Sequence, residues 1–109
     1  MIKVITLCGS TKFKQQFDHA NAMLTLEGHA VISVGFFEQC EGIEISNDQL
    51  RMLEEILLRK IDLADEVMVI DPTGYIGDST SNEITYAKQS GKKVTYYSQM
   101  SWLDPKEAN

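Results

Sequence analysis

Four short apolar runs, each followed by a turn and most by a stretch of helical period, constrain this chain more than any other feature. "IKVITLC" (2–8), "HAVISVGFF" (29–37), "EVMVIDP" (66–72) and "KVTYY" (93–97) are rich in β-branched and aromatic residues and lack the polar alternation of a half-exposed strand. Such runs are buried on both faces, as strands of a parallel sheet covered by helices are. Between the first two, Phe13, Phe17, Ala20 and Leu24 recur at helical spacing and Gly28 supplies a stop. Ser46 and Gln49 then make a capping-box pattern ahead of a long stripe, Leu50, Leu53, Leu57, Ile61 and Ala64. A third helix is predicted from about Ser81 to Ser90, closed by Gly91. The alternation predicts an α/β protein: a three-layer flavodoxin- or Rossmann-like fold with a parallel sheet of four to five strands, ordered 2-1-3-4. The tail after 97 is expected to dock in part through Trp102.

The 109 residues suit one domain, 1–109, with a single core. A formal net charge of −6 argues against a nucleic-acid polymer or an anionic membrane as partner. Cys8 falls in a buried strand and Cys40 in a polar loop, so no disulfide is expected and a reducing, cytoplasmic setting fits. Neither the cysteines nor His19 and His29 have metal-ligand spacing, and no metal or other cofactor is expected. No apolar run approaches the roughly 20 residues that span a bilayer.

In a sheet of order 2-1-3-4 the loops after the first and third strands flank the topological switch point, where ligands bind in such folds. The first, "CGSTK", offers a glycine for close backbone approach, hydroxyls on Ser10 and Thr11, a helix N-terminus and the charge of Lys12, all suited to a phosphate. An ordinary strand–helix turn with Ser10 or Thr11 as N-cap accounts for the same residues. The second, "DPTGYIGDST", is longer than the connection requires, and long loops at this edge often carry function. Thr80 and Glu83 match a capping box, which would put Glu83 at N3 beside free amides that keep it ionised. Glu83 can equally be a nucleophile, with Asp78 about a turn away as the second carboxylate of an acid–nucleophile pair. The candidate binding set is Cys8, Gly9, Ser10, Thr11 and Lys12 from one loop. Asp71, Gly74, Tyr75, Gly77, Ser79 and Ser81 come from the other, Tyr75 either stacking on a base or sugar or anchoring its loop.

Three stretches, "ITLCGSTKF", "KIDLADEVMVID" and "GYIGDSTSNEITYAKQSGKKV", resemble in order the nucleoside 2-deoxyribosyltransferase-like superfamily. That superfamily includes the deoxyribosyltransferases and the 2′-deoxynucleoside 5′-monophosphate N-glycosidases. The resemblance implies a flavodoxin-like fold and a homodimer or larger assembly. It implies Glu83 as the nucleophile at C1′ of a deoxyribose, Asp78 near the acid that helps hold the base, and Gly9, Ser10 and Thr11 in the sugar or phosphate loop. Three positions differ from the family pattern. No glycine flanks Glu83, Lys12 stands where the phosphate loop carries arginine, and the acid of the helix before the third strand aligns with Leu57, with Glu54 a turn earlier. The activity implied is cleavage or transfer at the N-glycosidic bond of a deoxynucleoside or its 5′-monophosphate. A non-catalytic module binding a nucleotide or ADP-ribose-like ligand, or an assembly protein with a vestigial crevice, would share most of these features.

Overall fold

The computed structural model describes residues 1–35 and 42–102. Each apolar run contains a strand: β1 (Val4–Gly9), β2 (Ala30–Ile32), β3 (Glu66–Ile70) and β4 (Lys93–Tyr96). All three pairings are parallel and the order is β2-β1-β3-β4, as the alternation predicts. A 3₁₀ turn at Thr11–Phe13 leads into α1 (Lys14–Leu26), followed along the chain by α2 (Asn47–Asp62) and α3 (Asp78–Gln89).

The two-residue period of the central strands sorts the core into two layers. Ile5 and Leu7 of β1, with Met68 and Ile70 of β3, pack against Phe17, Ala20 and Leu24 of α1. Cys8, Val67 and Val69 point the other way, onto Ile61 of α2 and Ala87 of α3. Helices therefore cover both faces, which is why neither central strand alternates with polar residues. The capping box of α2 forms in full: Gln49 N donates to Ser46 Oγ at 3.1 Å and Ser46 N to Gln49 Oε1 at 2.9 Å. Trp102 docks on the α1 side and its Nε1 donates to Glu27 Oε2 at 2.9 Å.

Three expectations need correction. The second strand is much shorter than 29–37. Among the described residues it pairs with β1 alone, through Ala30, Val31 and Ile32, and beyond it the Ser33 carbonyl accepts from Lys60 Nζ at 3.0 Å. The rest of that run, from Phe36, and Cys40 lie outside the described residues. The α2 stripe divides: Ile61 is buried in the core, whereas Leu50 is 45% exposed. Its N-terminal half stands clear of the sheet. Finally, α3 begins three residues earlier than Ser81, with Gly77 as N-cap and Ser81 N donating to the Gly77 carbonyl at 2.9 Å. Among the described residues, no helix is long and apolar enough to cross a membrane, and no cluster of His, Cys, Asp and Glu could hold a metal ion.

Candidate active site

Where α2 stands away from the sheet, a cleft of about 310 Å³ opens at the carboxyl edge of the strands. That is a small-ligand volume, at the low end of a range of roughly 300–1,000 Å³. Its wall on the β1 side is Gly9, Ser10 and Thr11, and on the β2 side Val34 and Gly35. Leu50, Leu53, Glu54, Ile56, Leu57 and Lys60 of α2 face Tyr75, Gly77, Ser79, Thr80 and Glu83 of the β3–α3 segment. The β1 and β3 loops thus meet in one crevice, at the switch point of the sheet.

The register of α3 decides the chemistry. With Asp78 as the first helical residue, Glu83 is the sixth, and it shares the buried face with Thr80 and Ala87. The capping box with Thr80 does not form, and no side chain caps this helix. Glu83 is instead a carboxylate in a core position, 8% exposed. Its Oε1 is buried with no hydrogen-bond partner among the described residues. Burial pushes its pKa up from the ordinary 4.5 to about 7, and the charge of Glu54 pushes the same way. The reason for expecting an ionised Glu83, free helix amides beside it, therefore does not hold. Those amides are confined to the first turn, and Glu83 lies beyond it.

Asp78 does not partner it. Five residues at roughly 100° each put Asp78 and Glu83 about 140° apart around the helix, and Asp78 is exposed and outside the cleft lining. The facing acid is Glu54, which lines the cleft across from Glu83. A second hollow, of about 290 Å³, shares Glu54, Ser79 and Glu83 and adds Asn82, Thr85, Tyr86 and Gln89. Both carboxylates thus stand between two recesses.

Of the other residues singled out in the sequence, Gly9, Ser10, Thr11, Tyr75, Gly77 and Ser79 line the cleft. Gly9 is demanded first by its neighbour strand. Its φ is +150°, and a Cβ there would lie 2.8 Å from the Ile70 carbonyl oxygen. Ser10 caps the 3₁₀ turn, accepting from Lys12 N at 3.4 Å. Tyr75 is half exposed at the mouth, edge-on to Phe13 with ring centroids 6.4 Å apart.

The remaining five candidates have other surroundings. Lys12 is exposed and its ammonium lies over the Tyr75 ring, 3.9 Å from the centroid, rather than in the cleft. Asp71 is buried and structural: its carboxylate accepts from Ser98 N and from Ser98 Oγ, both at 2.9 Å. Cys8 is buried among Ile61, Val69 and Ala87. Its thiol is pushed up by burial and then by the charge of Glu83, and it is not among the residues lining the cleft. Gly74 makes an exposed turn at φ +83°, and Ser81 points to solvent.

Two residues that matter were not singled out. Lys60 carries no motif of its own, and Glu54 enters only as a substitute, one turn earlier, for the acid aligned with Leu57. A signal for both existed: Glu54 falls four residues after Leu50 and three before Leu57, within the stripe, and Lys60 adjoins Ile61. Where an apolar stripe is not wholly covered by the core, charges at its margin are placed to line the resulting cleft.

The fold and cleft define a class: an open, doubly covered parallel-sheet protein with a carboxylate-bearing ligand crevice at its switch point. No protein-family model matches the sequence, and no curated protein does. Among solved structures, the chain is similar in fold to a CMP N-glycosidase of Clostridium botulinum, BcmB. The TM-score is 0.58 over 86% of this chain and 70% of that one, at 21% sequence identity. The likeness is one of fold, and it is the α/β architecture that the three motifs imply.

Proposed function

We propose that this protein cleaves, or transfers at, the N-glycosidic bond of a nucleoside or nucleoside monophosphate, with Glu83 as nucleophile and Glu54 as its partner. One observation carries the reading. Glu83 is a buried carboxylate whose Oε1 has no hydrogen-bond partner among the described residues and which lines a small-ligand cleft at the switch point. A charged group in a core position is costly unless something uses it, and such groups concentrate at functional sites. The fold shared with an N-glycosidase supports the reaction class, and the motif resemblance supports a deoxyribose substrate.

In the first step a Glu83 oxygen bonds to C1′ as the C1′–N bond breaks, and the electron pair leaves on the base, which takes a proton from solvent. In the second, Glu54 takes a proton from a water that adds to C1′, and the bond to Glu83 breaks. A second base in place of water gives transfer instead of hydrolysis. Only the ionised fraction of Glu83 attacks, so the neighbouring charge of Glu54 trades nucleophile population at neutral pH against its strength. Tyr75 offers a ring at the mouth for a base or sugar, and Ser10 and Thr11 offer hydroxyls.

Incubation with each deoxynucleoside and each deoxynucleoside 5′-monophosphate, read by chromatography for free base, tests the reaction. Glu83→Gln is expected to abolish release. Wild-type rates in that variant would rule out the nucleophile. Ligand-induced stabilisation without product would instead identify a nucleotide-binding module.

A further inference from the structure

Lys60 has no part in the chemistry above, yet it is the one cation that lines the cleft among the described residues. Both of its ends are fixed. Its carbonyl accepts from Thr6 Oγ1, a fully buried hydroxyl, at 2.7 Å. Its ammonium donates to the Ser33 carbonyl at 3.0 Å. An ammonium has three N–H donors, so that bond orients the group and leaves capacity for a ligand. The side chain is part-buried, where a charge is screened less than on the surface. Six residues separate it from Glu54, about 9 Å along the axis of α2.

The cleft is therefore bipolar, with two carboxylates toward one end and a held cation toward the other. A ligand matching this pattern carries an electrophilic carbon at one end and an anion one sugar away. We propose that Lys60, and not Lys12, is the residue that recognises the phosphate of a sugar-phosphate ligand, with Ser10 and Thr11 of the β1 turn lining the same cleft. Lys12 is set aside on geometry: it is not among the residues lining the cleft, and its ammonium is engaged on the Tyr75 ring.

The identity of the sugar rests on the glycosidic reading, but the phosphate site is testable without turnover. The probes are 2-deoxyribose 5-phosphate and unphosphorylated 2-deoxyribose, with binding measured by calorimetry and thermal shift on the full chain. The phosphate ester is expected to bind the wild type and the free sugar at least ten-fold more weakly. Lys60→Met should remove that preference, Lys60→Arg should retain most of it, and Lys12→Met should bind as the wild type. Each variant's own melting temperature separates loss of fold from loss of binding.

The proposal is overturned if Lys60→Met, still folded, keeps the phosphate preference, if Lys12→Met loses it, or if the wild type does not distinguish the two probes. If no nucleoside or nucleotide is cleaved but the preference still depends on Lys60, the glycosidic chemistry fails and the phosphate site stands.

Discussion

Replacing Glu83 with glutamine should make the folded protein more stable, and by an amount that depends on pH in a defined way. The rise from 4.5 to about 7 corresponds to roughly 3 kcal/mol against the ionised form, at about 1.4 kcal/mol per tenfold change in proton affinity. The opposing helix-end effect is worth only about 0.3–1 kcal/mol and fades past the first turn, so burial wins. Between pH 4.5 and 7 the folded state holds a proton on Glu83 that the unfolded chain has released. Stability therefore falls as pH rises through that window. Below 4.5 both states are protonated and the cost is absent; above 7 it is complete. Glutamine keeps the shape and removes the titration. The stability difference between Glu83→Gln and wild type should thus grow by about 3 kcal/mol from pH 4.5 to pH 8, more than about 10 °C in Tm for a chain of this size. Urea unfolding at pH 5, 6, 7 and 8, followed by the fluorescence of Trp102, reads it directly. A difference that stays constant with pH would refute the assignment of Glu83 as a destabilised buried acid.

The same charge pair predicts the kinetics. For a nucleophilic Glu83, kcat/KM should rise through a midpoint near pH 7, and Glu54→Gln should move that limb to lower pH by removing the neighbouring negative charge; a limb that falls with pH would make Glu83 a general acid instead. Gly9→Ala should destabilise by about 1–3 kcal/mol, since it forces a strained φ and a 2.8 Å approach to the Ile70 oxygen; a urea midpoint equal to wild type would show that the β1–β3 edge can open. Asp71→Ala should cost about 2 kcal/mol by removing two hydrogen bonds to a buried carboxylate while leaving nucleotide KM unchanged; a raised KM at unaltered stability would return Asp71 to the binding site.

Much of the architecture was legible because it rests on short-range or periodic signals. The apolar runs named the strands, their lack of alternation named the parallel, doubly covered sheet, and Ser46 with Gln49 marked the start of α2 to the residue. The convergence of the β1 and β3 loops followed from strand order alone. The run from His29 misled because its apolar residues matter beyond a strand: among the described residues the pairing with β1 ends at Ile32, and Val34 lines the cleft instead.

The site itself was only half legible. Glu83 lines the cleft, but the capping box that would set it at N3 does not form. Capping is decided by where the backbone turns, and Gly77 turns it three residues before the Thr80 pattern suggests. That shift carries Glu83 off the helix end into the core. The acid that faces it could not be read locally either: Asp78 is near in sequence but outside the cleft, whereas Glu54 lines the same cleft because α2 and α3 pack on the same face of the sheet. Sequence by itself determined the elements, their order and the edge at which a ligand would bind, since these depend on residue type and period along the chain. Only the tertiary structure decided which carboxylates meet, that Lys12 turns to Tyr75 while Lys60 enters the cleft, and that Asp71 holds Ser98, because each of these depends on which helix face a second element happens to cover.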